Sequence, residues 1–244
     1  MLHANPVVMK KLTFSLIVLV SLLGWSCESS KILTATFEGD AINGLPAKNL
    51  PGDPSGDAIS YHDDIQPRLK VQNSTISGSK ALIFTFTPVT NPNDPPTLSQ
   101  QYLSFNGIGT DLTETIWFTH TGQNKGAAML IAVSDGPNTI AMMRISPNGD
   151  VALADDFTNV IGNVGNGVHT VVFTVTTSAL KYNVTVFPES GPAIIAENKP
   201  MITTNPLVFN NPAHPMLGFL HEGWTPDGVS NYAIGSVTIS RKKP

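Results

Sequence analysis

The chain of 244 residues carries 14 Lys and Arg against 18 Asp and Glu, a formal net charge of −4, and 41% of it is apolar while only 13% is charged. That balance argues against nucleic acid as a partner and against charge-driven docking on anionic lipid, since both need a basic surface. The only cysteine, Cys27, leaves no intramolecular disulfide to form, so packing must hold the fold.

Met1 to Val8 lack both the basic charge and the apolar continuity of a leader, which places the translation start at Met9. Lys10-Lys11 and an apolar run from Leu12 to Leu23 follow. The run is too short for a bilayer core of ~30 Å, which takes about 20 residues, but it fits the apolar segment of an export signal. Ending in Leu22-Leu23-Gly24-Trp25-Ser26-Cys27, it resembles a bacterial lipoprotein signal, with cleavage after Ser26 and acylation of Cys27. The resemblance implies a signal peptide over 1–26, a lipidated tether over 27–31 and one domain over 32–244. The membrane is then reached through the lipid alone, and the outer membrane of the cell envelope is the expected location. A plain secretory peptide with an incidental cysteine is the alternative. Losing Lys10 and Lys11 leaves 12 basic against 18 acidic side chains, a net charge of −6.

From Ile32 to Glu38 the apolar Leu33, Ala35 and Phe37 alternate with Thr34 and Thr36, the period of a strand with one buried face. Gly39 to Pro67 is polar and rich in Gly and Pro, and is expected to be a long loop. Strands are predicted next at Leu69–Val71, Ala81–Thr87, Tyr102–Phe105 and Thr115–Thr119, with a break of three prolines between Asn91 and Pro96. Ala127 to Val133 is nearly all apolar, as expected of a central strand covered on both faces. Ile140–Ile145 and Val151–Ala154 flank Asn148-Gly149, a hairpin signal. Val168–Thr176 and Tyr182–Phe187 form a second hairpin, and Ala193–Ala196, Leu207–Phe209, Met216–Leu220 and Tyr232–Ser240 follow. About a dozen short strands with no amphipathic helix predict an all-β, two-sheet antiparallel β-sandwich.

Three stretches resemble the concanavalin A-like (laminin-G-like) jelly roll: Thr34 to Gly39 with Gly78 to Leu82, then Gly167 to Val175 leading into Lys181 to Val186, then Tyr232 to Ile239. Together they bracket almost the whole expected domain. The resemblance implies a fold used for carbohydrate binding and, in some members, a structural calcium held by an acid of the first strand and an Asp of the last. Glu38 matches the first position, whereas Gly235 stands where the Asp is expected.

Jelly-roll hydrolases place their carboxylates at alternate positions of one strand, so that both face one cleft. No such run occurs here. Asp63-Asp64 and Asp155-Asp156 are adjacent pairs whose side chains diverge in an extended chain, and they read as turn residues. Asp155 and Asp156, near the Asp150 turn, could instead offer oxygens to a calcium ion. His169 shares a strand face with Val171 and Phe173 and reads as a hydrogen-bonded structural residue, while His120, His214 and His221 show no metal spacing. Gly162 to Gly167 is a turn, and no Gly-x-Ser-x-Gly elbow is present.

Aromatic residues carry the better signal. Trp117 lies between Thr115 and Thr119 on the face opposite Ile116 and Phe118, which makes it either a core residue under a second layer or a stacking platform for a sugar ring. Trp224 sits in the polar loop His221-Glu222-Gly223-Trp224-Thr225-Pro226-Asp227-Gly228. An indole there combines an apolar face with an N–H donor, and Glu222, Asp227 and His221 could hydrogen-bond sugar hydroxyls beside it. Tyr61 and Tyr102 are weaker candidates of the same kind.

The reading that follows is a lipid-anchored, non-catalytic jelly roll in a bacterial envelope that binds a glycan or adheres to an envelope protein. Two alternatives stand: a divergent glycoside hydrolase or polysaccharide lyase using acids such as Glu222 or Asp155, and a structural subunit of an envelope complex.

Overall fold

The computed structural model describes residues 29–45, 58–63, 69–74, 80–86, 99–104, 112–121, 128–135, 138–153, 156–202, 215–222 and 230–242. Among them, fifteen strands and a single 3-10 turn, Thr177–Ala179, account for the regular structure. The strands are β1 (Ser29–Ala35), β2 (Ala58–Asp63), β3 (Leu69–Asn73), β4 (Lys80–Phe86) and β5 (Ser99–Ser104). There follow β6 (Leu112–Thr121), β7 (Ala128–Asp135), β8 (Asn138–Ile145), β9 (Asp150–Leu153) and β10 (Asp156–Asn163). The chain continues with β11 (Gly167–Thr176), β12 (Lys181–Phe187), β13 (Ile194–Pro200), β14 (Pro215–Glu222) and β15 (Ser230–Lys242).

They build two antiparallel sheets. The first has the order β13-β12-β11-β6-β15-β4-β3, with β1 also paired to β15, and the second has the order β10-β9-β8-β7-β14-β5-β2. The inner faces meet in one apolar core, where Ile116, Phe118, Val171 and Phe173 of the first sheet join Ile131, Val133 and Met143 of the second, all without exposed surface. Alternation drives this: in β11 every second residue from His169 to Val175 is buried while its neighbours are half-exposed. Removing such side chains from water is the main stabilising term of a fold without cross-links.

A polar pin crosses the core. Tyr232, on β15, is buried beside the ring of His120, and its hydroxyl reaches the Met129 backbone in β7 of the opposite sheet. At one edge, β10 packs on β13, and Gly162 lies so close that a Cβ there would stand 2.7 Å from Ile194 Cγ1. The amide of Ile202, just past β13, donates to the Ile140 carbonyl of β8 and ties the same edge.

The sandwich follows the sequence reading, with three differences. The first strand begins at Ser29 and ends at Ala35, so Ser29 to Lys31, read as tether, are instead paired with Lys242, Arg241 and Ser240. Phe37, read as the last inward residue of that strand, lies beyond it at a φ of 59°, and this left-handed backbone still carries its ring into the core. Two strands, β2 and β10, run where a long loop and turn residues were expected. The reading of Leu207–Phe209 as a strand falls outside the described residues. Ala128–Asp135 is central as expected, with β8 and β14 on its flanks.

Candidate functional site

The outer face of the first sheet, rather than a pocket, gathers the candidate chemistry. Trp117, at the middle of β6, lies half-buried on that face while Ile116 and Phe118 fill the core. The indole has a built seat. Opposite it β15 carries a bulge between Ile234 and Ser236, and Gly235 occupies it. A Cβ at Gly235 would stand 1.7 Å from Trp117 Cε3 and 2.0 Å from Cζ3, so the six-membered ring lies across the bare backbone. A glycine inside a strand marks such close approach. Trp117 therefore resolves as a residue of the outer surface, not of the core.

Register arranges the neighbours of Trp117 in rows across the strands. One row runs Ser236, Trp117, Thr170, Phe187, from β15 through β6 and β11 to β12. The next runs Thr34, Thr238, Thr115, Val172, Thr185, Ile195, from β1 to β13. None of these residues is charged, and all are half- or fully exposed, with Phe187 at 48% and Ile195 at 58%. The face thus offers hydroxyls and aliphatic groups in a regular array, with two aromatic rings in one row.

Glu38 is exposed and is tied to the start of β4. Its carboxylate accepts the backbone N–H of Lys80 at 3.0 Å, while the Lys80 ammonium donates to the carbonyls of Glu38 and Asp40 at 2.9 and 2.6 Å. The Lys80 ammonium thus stands beside Glu38, and Gly235 of the last strand lies under the indole of Trp117. The β8–β9 turn is hydrogen-bonded within itself. Asp150 accepts from Asn148 Nδ2 at 2.7 Å and from Asn163 Nδ2 at 2.8 Å, and Ser146 Oγ donates to Asn148 Oδ1. Asp156 begins β10, paired with Leu153. Among the described residues no three His, Cys, Asp or Glu come together as a metal-binding group.

His221 and Glu222 close β14, paired with Met129 and Ala128 in the second sheet. They therefore belong to a different sheet from Trp117. Tyr61 and Tyr102 lie on β2 and β5 of that second sheet. Cys27, Asp155, Trp224 and Asp227 lie outside the described residues.

Two histidines that the sequence left scattered are brought together on the inner face. His120 of β6 and His169 of β11 are diagonal neighbours, the first paired with Gly167 and the second with Phe118, and each is 1% exposed. His120 Nδ1 donates to the Gly165 carbonyl at 2.8 Å, which leaves its Nε2 as a lone-pair acceptor. His169 Nδ1 accepts the Glu189 N–H at 3.2 Å, which puts the proton of the neutral ring on its Nε2. Neither Nε2 has a hydrogen-bond partner. Burial is the leading cause that lowers the pKa of both rings, and for His169 the nearby His120 adds to it. The expected hydrogen bond to His169 is present; the pairing with His120 needed register to be seen.

Against known proteins, no family model matches the sequence and no curated protein is similar to it. Solved structures are. The winged bean acidic lectin, in complex with methyl-α-D-galactose, aligns over 89% of this chain and 100% of its own at 11% identity, with a TM-score of 0.54. Lectin I of Ulex europaeus, in complex with the methyl glycoside of α-L-fucose, aligns over 85% and 97% at 9% identity, with a TM-score of 0.51. The chain has the concanavalin A-like jelly-roll fold that these legume lectins share.

Proposed function

We propose that this chain is a non-catalytic carbohydrate-binding domain, anchored in a bacterial cell envelope by lipid on Cys27. The observation that carries the binding half is the seat of Trp117 on Gly235: an indole laid against backbone, half-exposed, among hydroxyl side chains. A pyranose presents an apolar ring face for stacking and hydroxyls for hydrogen bonds, and this surface offers both partners. The lectin-like fold supports the reading. Trp224 and Asp227, which lie outside the described residues, follow Glu222 in the sequence and remain our second candidate contact.

The anchoring half rests on the basic pair, apolar run and cysteine of the leader. β1 starts at Ser29, two positions after Cys27 in the sequence, so acylation there would hold the domain close to the membrane.

Glycan-array binding by the detergent-solubilised full-length protein tests the first half. Specific retention that Trp117→Ala removes, with the thermal midpoint kept, is the expected result; retention unaffected by that change would overturn the assignment to this face. Metabolic labelling with an alkyne fatty acid tests the second half: label on the wild type and none on Cys27→Ser is expected, and equal labelling of both would refute acylation there.

A further inference from the structure

Resting on the carbohydrate reading, we infer that the outer face of the first sheet binds an extended, uncharged polysaccharide that lies across the strands, rather than a single terminal sugar. Trp117 and Phe187 belong to one register row with Thr170 between them. Two strand spacings of about 4.8 Å put the two rings about 10 Å apart, so one sugar cannot cover both. A chain that stacks one ring on Trp117 and a later one on Phe187 can.

The adjacent row supplies the hydrogen bonds. Thr115 and Thr185 stand beside Trp117 and Phe187 on β6 and β12, two positions along each strand, and Thr238 continues the line on β15. From Thr34 to Ile195 this row crosses five strand spacings, about 24 Å, which is the reach of several sugar residues. Charge selects the class of polymer. A uronate or sulfated chain would need Arg or Lys along its track, and neither row contains one. Exposure selects the mode. Phe187 at 48% and Ile195 at 58% are large apolar groups left in water on the face of a strand ladder, and a flat ligand covers them without any pocket.

The test is retention of the full-length protein, in detergent, on insoluble cellulose and chitin, compared with soluble oligomers of the same sugars and with polygalacturonate. Retention on a neutral insoluble polymer is expected, with Phe187→Ala weakening it about 3- to 10-fold and leaving the thermal midpoint within a degree or two, because the ring is exposed. If Trp117→Ala abolishes glycan binding while Phe187→Ala binds like the wild type, the extended ligand is refuted and the Trp117 platform survives. Tighter binding to polygalacturonate, or equal affinity for the shortest soluble oligomer and the polymer, would also refute it. Failure of the wild type to bind any of these glycans or those of the array would overturn both readings.

Discussion

Gly235 is the residue on which the proposed binding surface turns. Any side chain there must evict the indole, because a Cβ would sit inside bonding distance of the Trp117 ring. Gly235→Ala is therefore expected to shift the Trp117 contribution to intrinsic fluorescence and to lower glycan retention as strongly as Trp117→Ala. Unchanged emission with full binding would refute the seat. The two buried histidines make a second, independent prediction. Their folded pKa values lie below the ordinary value of about 6.5, so between those values the unfolded chain binds more protons than the native one. Stability is then complete above about pH 6.5 and falls as pH drops below it. The groups that face them act on the balance: the Gly165, Ser146 and Pro147 carbonyls and Glu189 favour protonation, while Tyr232 contributes an apolar ring. Denaturation midpoints of His120→Gln against wild type from pH 7.5 to 5 check this, and a variant with the same pH slope as the wild type would refute it. Sequence alone exposed half of this chemistry. The parity of Trp117 against Ile116 and Phe118 was visible, but Gly235 beneath it, Phe187 beside it and the pairing of His120 with His169 depend on strand register.

Elements explain which parts of the fold could be read from the chain. Strands that bury a face alternate cleanly, and β6, β11, β12 and β15 were found for that reason. The two missed strands, β2 and β10, are the edges of the second sheet. In β10 Thr158, Asn159 and Val160 are all exposed and the register to β9 shifts twice, so no period of two survives in the sequence. Glycine and asparagine at its end looked like turn residues because an edge needs no continuous apolar side. The end of β1 was misplaced for a different reason. Phe37 continues the alternation of Leu33 and Ala35, yet it is inward only through a positive φ, which costs about 1–3 kcal/mol and is offset by burying the ring. At the level of the sheets, Tyr232→Phe keeps the ring but removes the hydroxyl that reaches Met129 in the opposite layer. A loss of about 1 kcal/mol by urea denaturation is expected, against about 3–5 kcal/mol for Phe118→Ala, which empties part of the core. Equal losses would contradict the division between pin and core.

For the whole molecule, the topology puts the uncharged rows around Trp117 on one sheet, and His221 and Glu222, at the end of β14, in the other. The sandwich was legible because a chain with one cysteine and short alternating strands has few other ways to bury its apolar half. The proposed acylation of Cys27 would set its direction relative to the membrane through β1. That strand starts two residues after Cys27, and its six register pairs run from Ser29 opposite Lys242 to Ala35 opposite Val237. With the proposed anchor and the proposed ligand both in place, a load between polymer and envelope would pull on the N-terminal end of β1 along its own axis. Such a pull shears the ladder instead of unzipping it, so its hydrogen bonds share the force and fail together. On that proposal the first strand would act as a mechanical fastening, with its grip on β15 setting the load that the domain bears before it lets go.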